Sequence, residues 1–254
     1  MLTRSLVLAI VFLLVAGCGL LAPASEPTQP PTPALVEVTR LVTQMVTQVV
    51  VVTATPPPPT EPTPVPPPSP ERVIFADDFS EGAGEWRLGD SENTAARIED
   101  EALLVEVKAD RMAWGTLNPR IGPLPAEYEL FYDIHYVSGG EDPIGGVWLY
   151  FKDDKNYTPV WISLTNLVFY STLTDNKPDL RLPWSTAAGI DSDHTRMHIV
   201  ESGGRLQIFA NDILVYDAPF VKPSQANFIT FGVQTNGKPA VWAFDNIVVA
   251  RLAP

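Results

Sequence analysis

The sequence predicts an all-β domain, an antiparallel sandwich or barrel, over residues 72–254. Three observations carry that prediction. From Val73 onward apolar and polar residues alternate, and Gly, Asp, Asn or Pro breaks the alternation roughly every 8–12 residues. No long helical period occurs anywhere in this stretch. A stretch of this length suits one β domain and can bury a core without disulfides, which matters because Cys18 is the only cysteine in the chain.

The strands follow in order. The first is 73–79, opening on Val73-Ile74-Phe75, followed by 94–98, 102–107 and 113–117. The long segment 128–137 sets Leu130, Tyr132, Ile134 and Tyr136 on one side, and Glu129, Phe131, Asp133 and His135 on the other. In 147–152 the same alternation puts Val147, Leu149 and Phe151 in the core and sends Trp148, Tyr150 and Lys152 outward. In 158–164 Val160, Ile162 and Leu164 face in, and Pro159, Trp161 and Ser163 face out. Further strands are expected at 168–172, 196–201, 206–210, 213–216, 228–234 and 240–250, with 173–193 a loop. Gly203-Gly204 and Asn211-Asp212 read as hairpin turns.

Upstream of the domain the texture differs. Residues 1–17 read as a secretory signal: Arg4 in a short first segment, an apolar run over 6–16, then small residues. The run is shorter than the ~20 residues of a spanning helix. The tetrad Val15-Ala16-Gly17-Cys18 resembles a bacterial lipobox. The resemblance implies cleavage before Cys18, acylation of that cysteine and an extracytoplasmic protein tied to a membrane; two or more acyl chains give stable anchoring. Residues 18–71 read as a largely disordered stalk, since 15 of the 26 prolines fall between Leu21 and Glu71. Pro56-Pro57-Pro58-Pro59 and Pro66-Pro67-Pro68 favour the extended polyproline II conformation. Within the stalk, 36–53 repeats a four-residue Val-Thr pattern that suits helix by period and strand by β-branching; a weakly ordered spacer is the simplest reading.

The net charge is −13, and residues 72–254 hold 26 acidic and 15 basic side chains. Such a balance lacks the basic footprint of a nucleic-acid-binding protein and disfavours direct adhesion to anionic lipid.

Several motifs recur in a familiar order. Asp77-Asp78-Phe79-Ser80 precedes Trp86, and Gly146-Val147-Trp148-Leu149-Tyr150-Phe151 precedes Asp153-Asp154-Lys155-Asn156-Tyr157. Arg196-Met197-His198-Ile199-Val200, Gly204-Arg205-Leu206-Gln207-Ile208-Phe209 and Ala210-Asn211-Asp212 follow, and Phe244-Asp245-Asn246-Ile247-Val248-Val249 ends the domain. Together these resemble the concanavalin A-like jelly-roll domains, near the laminin-G-like and 3-keto-disaccharide hydrolase-like modules. The resemblance implies a two-sheet jelly roll over nearly all of 73–252. That fold hosts lectins, glycosidases, adhesion modules and sensors alike, so function must come from the site.

If 128–137, 147–152 and 158–164 pair as a meander, their outward residues gather Asp133, His135, Trp148, Tyr150 and Trp161 on one face. Flat aromatic rings beside carboxylates suit a carbohydrate, whose rings carry apolar C–H faces and polar rims. Asn166, Tyr170 and Trp184 could extend the patch from neighbouring loops. The alternative is that the 173–193 loop covers the aromatics and makes a second small core. Trp86, Trp114 and Trp242 read as core or edge packing, and His194 and His198 as structural. Glu129-Leu130-Phe131-Tyr132-Asp133 has the wrong spacing for a laminarinase-like pair of catalytic carboxylates, and no other catalytic motif is visible. The resemblance also implies a possible calcium ion between first and last strands, with Asp77, Asp78 and Asp245 as ligands. The other reading of Asp245-Asn246 is a bulge that caps local backbone. The expectation is therefore a membrane-tethered binding module for glycan, with a hydrolase or a structural, protein-binding module as alternatives.

Overall fold

Alternating apolar residues sort the strands into two antiparallel sheets packed face to face. The protein's structure, a computed structural model, describes residues 65–109, 112–191, 193–223 and 228–252. Cys18, the 1–17 segment and nearly all of the 18–71 stretch, including the 36–53 repeat, lie outside the described residues. The strands are β1 (Val73–Asp77), β2 (Gly89–Asp90), β3 (Thr94–Glu99), β4 (Ala102–Val107), β5 (Ala113–Thr116), β6 (Tyr128–Gly139), β7 (Ile144–Asp153), β8 (Asn156–Ser163), β9 (Leu167–Thr174), β10 (Lys177–Thr186), β11 (Thr195–Ser202), β12 (Arg205–Ala210), β13 (Ile213–Pro219), β14 (Phe228–Gln234) and β15 (Ala240–Arg251).

One sheet runs β13-β12-β11-β6-β15-β4-β3-β2, with β1 added beside β15. The other runs β10-β9-β8-β7-β14-β5. β15 serves two partners on one edge: Ala240–Phe244 pairs with β4, and Ile247 to Ala250 with β1. A bulge at Asp245-Asn246 separates the two stretches, with Asn246 at φ 49°. Asparagine tolerates that left-handed conformation better than most residues.

Between the sheets lies one large core. It joins Leu130, Tyr132 and Ile134 of β6, Phe244 and Trp242 of β15, Val147 and Leu149 of β7, and Ile229, Phe231 and Val233 of β14. Burying each such side chain contributes about 1.5–3 kcal/mol before entropy is counted. Trp86 and Trp242 belong to this core, as their apolar context predicts.

Two expectations are corrected here. Residues 177–186 are not a loop but strand β10, which extends the six-stranded sheet as its edge. Pro178 and Pro183 mask it in the sequence, and proline is tolerated at a sheet edge. The meander of three consecutive strands also fails. β7 pairs with β8, but β6 pairs with β11 and β15 in the opposite sheet. The turn after β6 carries the chain across the sandwich.

Candidate functional site

The outer face of the six-stranded sheet is built around a bulge in β7. Trp148 pairs with Thr230, and Phe151 pairs with Phe228. Two residues of β7, Leu149 and Tyr150, thus oppose Ile229 alone. Both point inward and are fully buried. Tyr150 takes φ 53°, a costly conformation for a bulky residue, on the order of 1–3 kcal/mol. Packing holds it there: its ring stacks on Phe220 at 5.4 Å and meets Tyr128 edge-on at 6.3 Å.

The bulge exchanges the sides expected for Tyr150 and Phe151. Tyr150 belongs to the core, and Phe151 joins Trp148 outside. The rings of Trp148 and Phe151 stack at 5.8 Å and 23°. Trp161 meets Trp148 edge-on at 5.6 Å, and Tyr157 tilts against it at 5.3 Å. Ile144 and Phe169 complete this second cluster, and Trp184 leans on Phe169 at 5.2 Å. Such aromatic pairs contribute about 0.5–1.5 kcal/mol each beyond their buried area. Trp148 and Trp161 are only 7% and 3% exposed, so they form the footing of the patch rather than its rim.

Beside the cluster runs a row of glycines. Gly115, Gly232 and Gly146 align across β5, β14 and β7, and the row continues into Trp161 and Phe169. A Cβ on Gly115 would come within 2.7 Å of Thr230 Cγ2 and 2.5 Å of the Phe231 carbonyl, so nothing larger fits. The result is a cavity of about 280 Å³ lined by residues that include Arg87, Trp114, Gly115, Trp148, Phe151, Asp154 and Thr230. Trp148 Nε1 and Thr230 Oγ1 have no protein hydrogen-bond partner, although most buried polar groups do. Arg87 and Asp154 are exposed and add one charge of each sign. Burial, aided by the Asp154 carboxylate, pushes the Tyr157 phenol up, keeping its hydroxyl protonated.

Asp133 and His135 do not join this site. They lie on the outer face of the nine-stranded sheet, with the whole core between them and Trp148. Asn246 Nδ2 donates to Asp133 Oδ2 at 2.8 Å, and His194 Nε2 lies 3.6 Å from Asp133 Oδ1. Burial, then the nearby His194, lowers the pKa of His135. Tyr170 also faces inward, packing on Tyr216 at 5.1 Å, while Asn166 occupies the exposed turn between β8 and β9.

The calcium ligands do not fit a calcium ion. Asp77 Oδ1 accepts the Phe79 N–H at 2.9 Å, and its Oδ2 accepts the Trp86 Nε1–H at 2.8 Å. Asp78 accepts from the Ser80 backbone and hydroxyl, and Asp245 from the Asn246 N–H at 2.6 Å. Each carboxylate serves local N–H or O–H donors, and among the described residues no three His, Cys, Asp or Glu side chains converge on a metal position. Asp245-Asn246 is the bulge that caps local backbone.

Trp148 and Trp161 are thus the two predicted residues that the structure brings together. Phe151 was expected in the core, and Gly115, Thr230 and Arg87 were not singled out; Trp114, read as core or edge packing, does pack against the core. A run of five apolar residues, Val147 to Phe151, carries no parity of its own, so the sequence holds no direct signal for Phe151.

No protein-family model matches the sequence, and no curated protein matches it. Solved structures do share its architecture. The laminarinase catalytic domain from Thermotoga maritima aligns with a TM-score of 0.53 and 10% identity, over 72% of this chain and 99% of that one. A prokaryotic β-1,3-1,4-glucanase (lichenase) from a mouse hindgut metagenome aligns at 0.52 and 11% identity, over 70% and 99%. A structure described under endo-acting O-glycanases of the human gut microbiota aligns at 0.52 and 10% identity, over 71% and 100%. Identities this low speak to architecture alone, and on that point they agree with the strand order: the domain is an all-β sandwich with the concanavalin A-like jelly-roll fold.

Proposed function

We propose that the domain is a non-catalytic carbohydrate-binding module, with its site on the outer face of the six-stranded sheet. The cavity walled by Trp148 and Phe151 over the Gly115 floor is the observation that carries this reading. Aromatic walls suit the C–H faces of a sugar ring, and the exposed Arg87 and Asp154 suit its hydroxyls. At about 280 Å³ the cavity lies just below the ~300–1,000 Å³ of drug-sized sites. It therefore takes one unit of a glycan, and the exposed Trp184, leaning on Phe169, offers a further aromatic surface on the same face. That the solved structures of the same fold include enzymes named for glycans supports this ligand class. Asp154 is the one carboxylate among the described residues lining the cavity, whereas the usual route of glycosidic hydrolysis takes two.

Retention in affinity gels containing a panel of soluble polysaccharides tests the site. Phe151→Ala should weaken retention at least tenfold, while Tyr150→Phe, altered only inside the core, should not. Wild-type affinity in the alanine variant would move the site elsewhere. Failure of every glycan to bind would favour the structural or protein-binding alternative.

The module is further proposed to stand outside the cytoplasm, tethered through a lipid on Cys18. The lipobox-like tetrad and the proline-rich stretch after it support this reading. Incorporation of a labelled fatty acid that disappears in Cys18→Ser would support it, and equal labelling of both proteins would refute it.

A further inference from the structure

The end of the proline tract does not leave the domain freely. Val65 N–H donates to Asp212 Oδ1 at 3.3 Å, in the turn between β12 and β13. Arg72 Nη1 donates to Glu129 Oε1 of β6 at 2.9 Å and to the Arg251 carbonyl at 3.2 Å. The outer residues between these two pins are aromatic. Phe131, His198 and Phe209 stand side by side across β6, β11 and β12. Phe131 and His198 stack at 3.9 Å and 9°, and His198 and Phe209 at 5.3 Å and 22°. Arg196 lies over Phe131 at 5.3 Å.

Rings on the outer side of a sheet meet water along their edges unless chain lies across them. Phe131 is only 3% and His198 6% exposed; His198 Nε2 lies 3.4 Å from Glu129 Oε2, and its Nδ1 is buried without a hydrogen-bond partner. Residues 65–69, at about 3.1 Å per residue in polyproline II, reach roughly 12 Å, and the 3-10 turn Pro70–Arg72 adds about 6 Å at about 2 Å per residue. Crossing from β12 to β6 takes two strand spacings of about 4.8 Å plus travel along the strands, which that length spans. Ser69, at φ −66° and ψ 146°, has polyproline II geometry. Proline-rich segments in that geometry dock on aromatic grooves because little chain entropy is left to lose.

We propose that the outer face of the nine-stranded sheet is a receptor for polyproline II chain, filled in cis by Val65-Pro66-Pro67-Pro68-Ser69-Pro70. The occupant is this chain's own segment, seated between the Asp212 and Glu129 pins. The junction is then fixed as far back as Val65. The proposal stands apart from the glycan reading, which concerns the other sheet.

The full chain carrying Gly at positions 66, 67 and 68 is the test. His198 is the reporter: burial first, then the Arg196 charge, holds its pKa down to about 4. Arg72, Glu129, Arg196 and Asp212 are the charged groups around it. In the glycine variant the His198 midpoint, followed by NMR of its ring protons, should rise by more than one pH unit. Tryptic cleavage after Arg72 should quicken at least tenfold, with cleavage after the exposed Lys155 unchanged. A synthetic peptide of residues 65–72 should bind the glycine variant and restore the low midpoint, but not bind the wild type. An unchanged midpoint, or a peptide that fails to restore it, overturns the proposal. Should the glycine variant not fold, Glu129→Gln loosens one pin at constant volume; it should speed cleavage after Arg72 at least threefold, and an unchanged rate overturns the proposal.

Discussion

The two outer faces of this sandwich carry aromatic rows of similar composition but opposite fates. On the nine-stranded sheet, Phe131, His198 and Phe209 stack in register without a bulge, and the pinned segment 65–72 spans them. On the six-stranded sheet, a bulge spreads Trp148 and Phe151, glycines open the floor beside them, and about 280 Å³ stays free. An aromatic row on a sheet is therefore not in itself a ligand site. What distinguishes the faces is whether chain already occupies the space above the rings.

The largest effect that would break this comparison comes from Trp148→Ala. It should cost about 3–5 kcal/mol in urea unfolding, because a buried ring leaves a cavity, and it should abolish polysaccharide retention. Phe131→Ala, at the matching place on the other face, should cost about 3 kcal/mol and leave retention unchanged. Loss of retention in Phe131→Ala would place the site on the wrong sheet.

A pH series sharpens the contrast. His198 is held near 4 in the folded protein, below the usual 6.5, so the unfolded chain binds more protons between those values. Stability should fall as pH drops from 6.5 to 4, by up to about 3 kcal/mol at 1.36 kcal/mol per pH unit, and this group should add no further loss below 4. His198→Phe should remove that component and flatten the profile of unfolding free energy against pH. The smallest effect belongs to Arg87→Ala: stability unchanged within about 0.5 kcal/mol, as for most surface substitutions. Glycan affinity should fall less than tenfold, below about 1.4 kcal/mol.

Much of the fold was legible because alternation survives in every long strand. β6, β8, β11, β14 and β15 appear where the apolar residues place them, and Trp148 and Trp161 do share an outward face. The rest was hidden for particular physical reasons. Alternation tells which side of a strand is buried, not which of two sheets the strand joins. Gly140-Glu141-Asp142-Pro143 reads equally as a hairpin and as the crossing it is, so Asp133 and His135 were assigned to the wrong face. β10 is exposed along most of its length and carries two prolines, which erases its period. Trp114, opposite Val233 of β14, packs against the core, in line with its reading as core or edge packing.

The Leu149-Tyr150 bulge has a consequence for how such a surface changes over time. It acts as a buffer of sidedness: removing Tyr150 there would leave Trp148 opposite Thr230 and Phe151 opposite Phe228, both still facing out. The strand can gain or lose one residue at that point while the surface on either side keeps its face. Variation in length among domains built on this plan should therefore collect at such bulges, where it leaves the recognition surface intact.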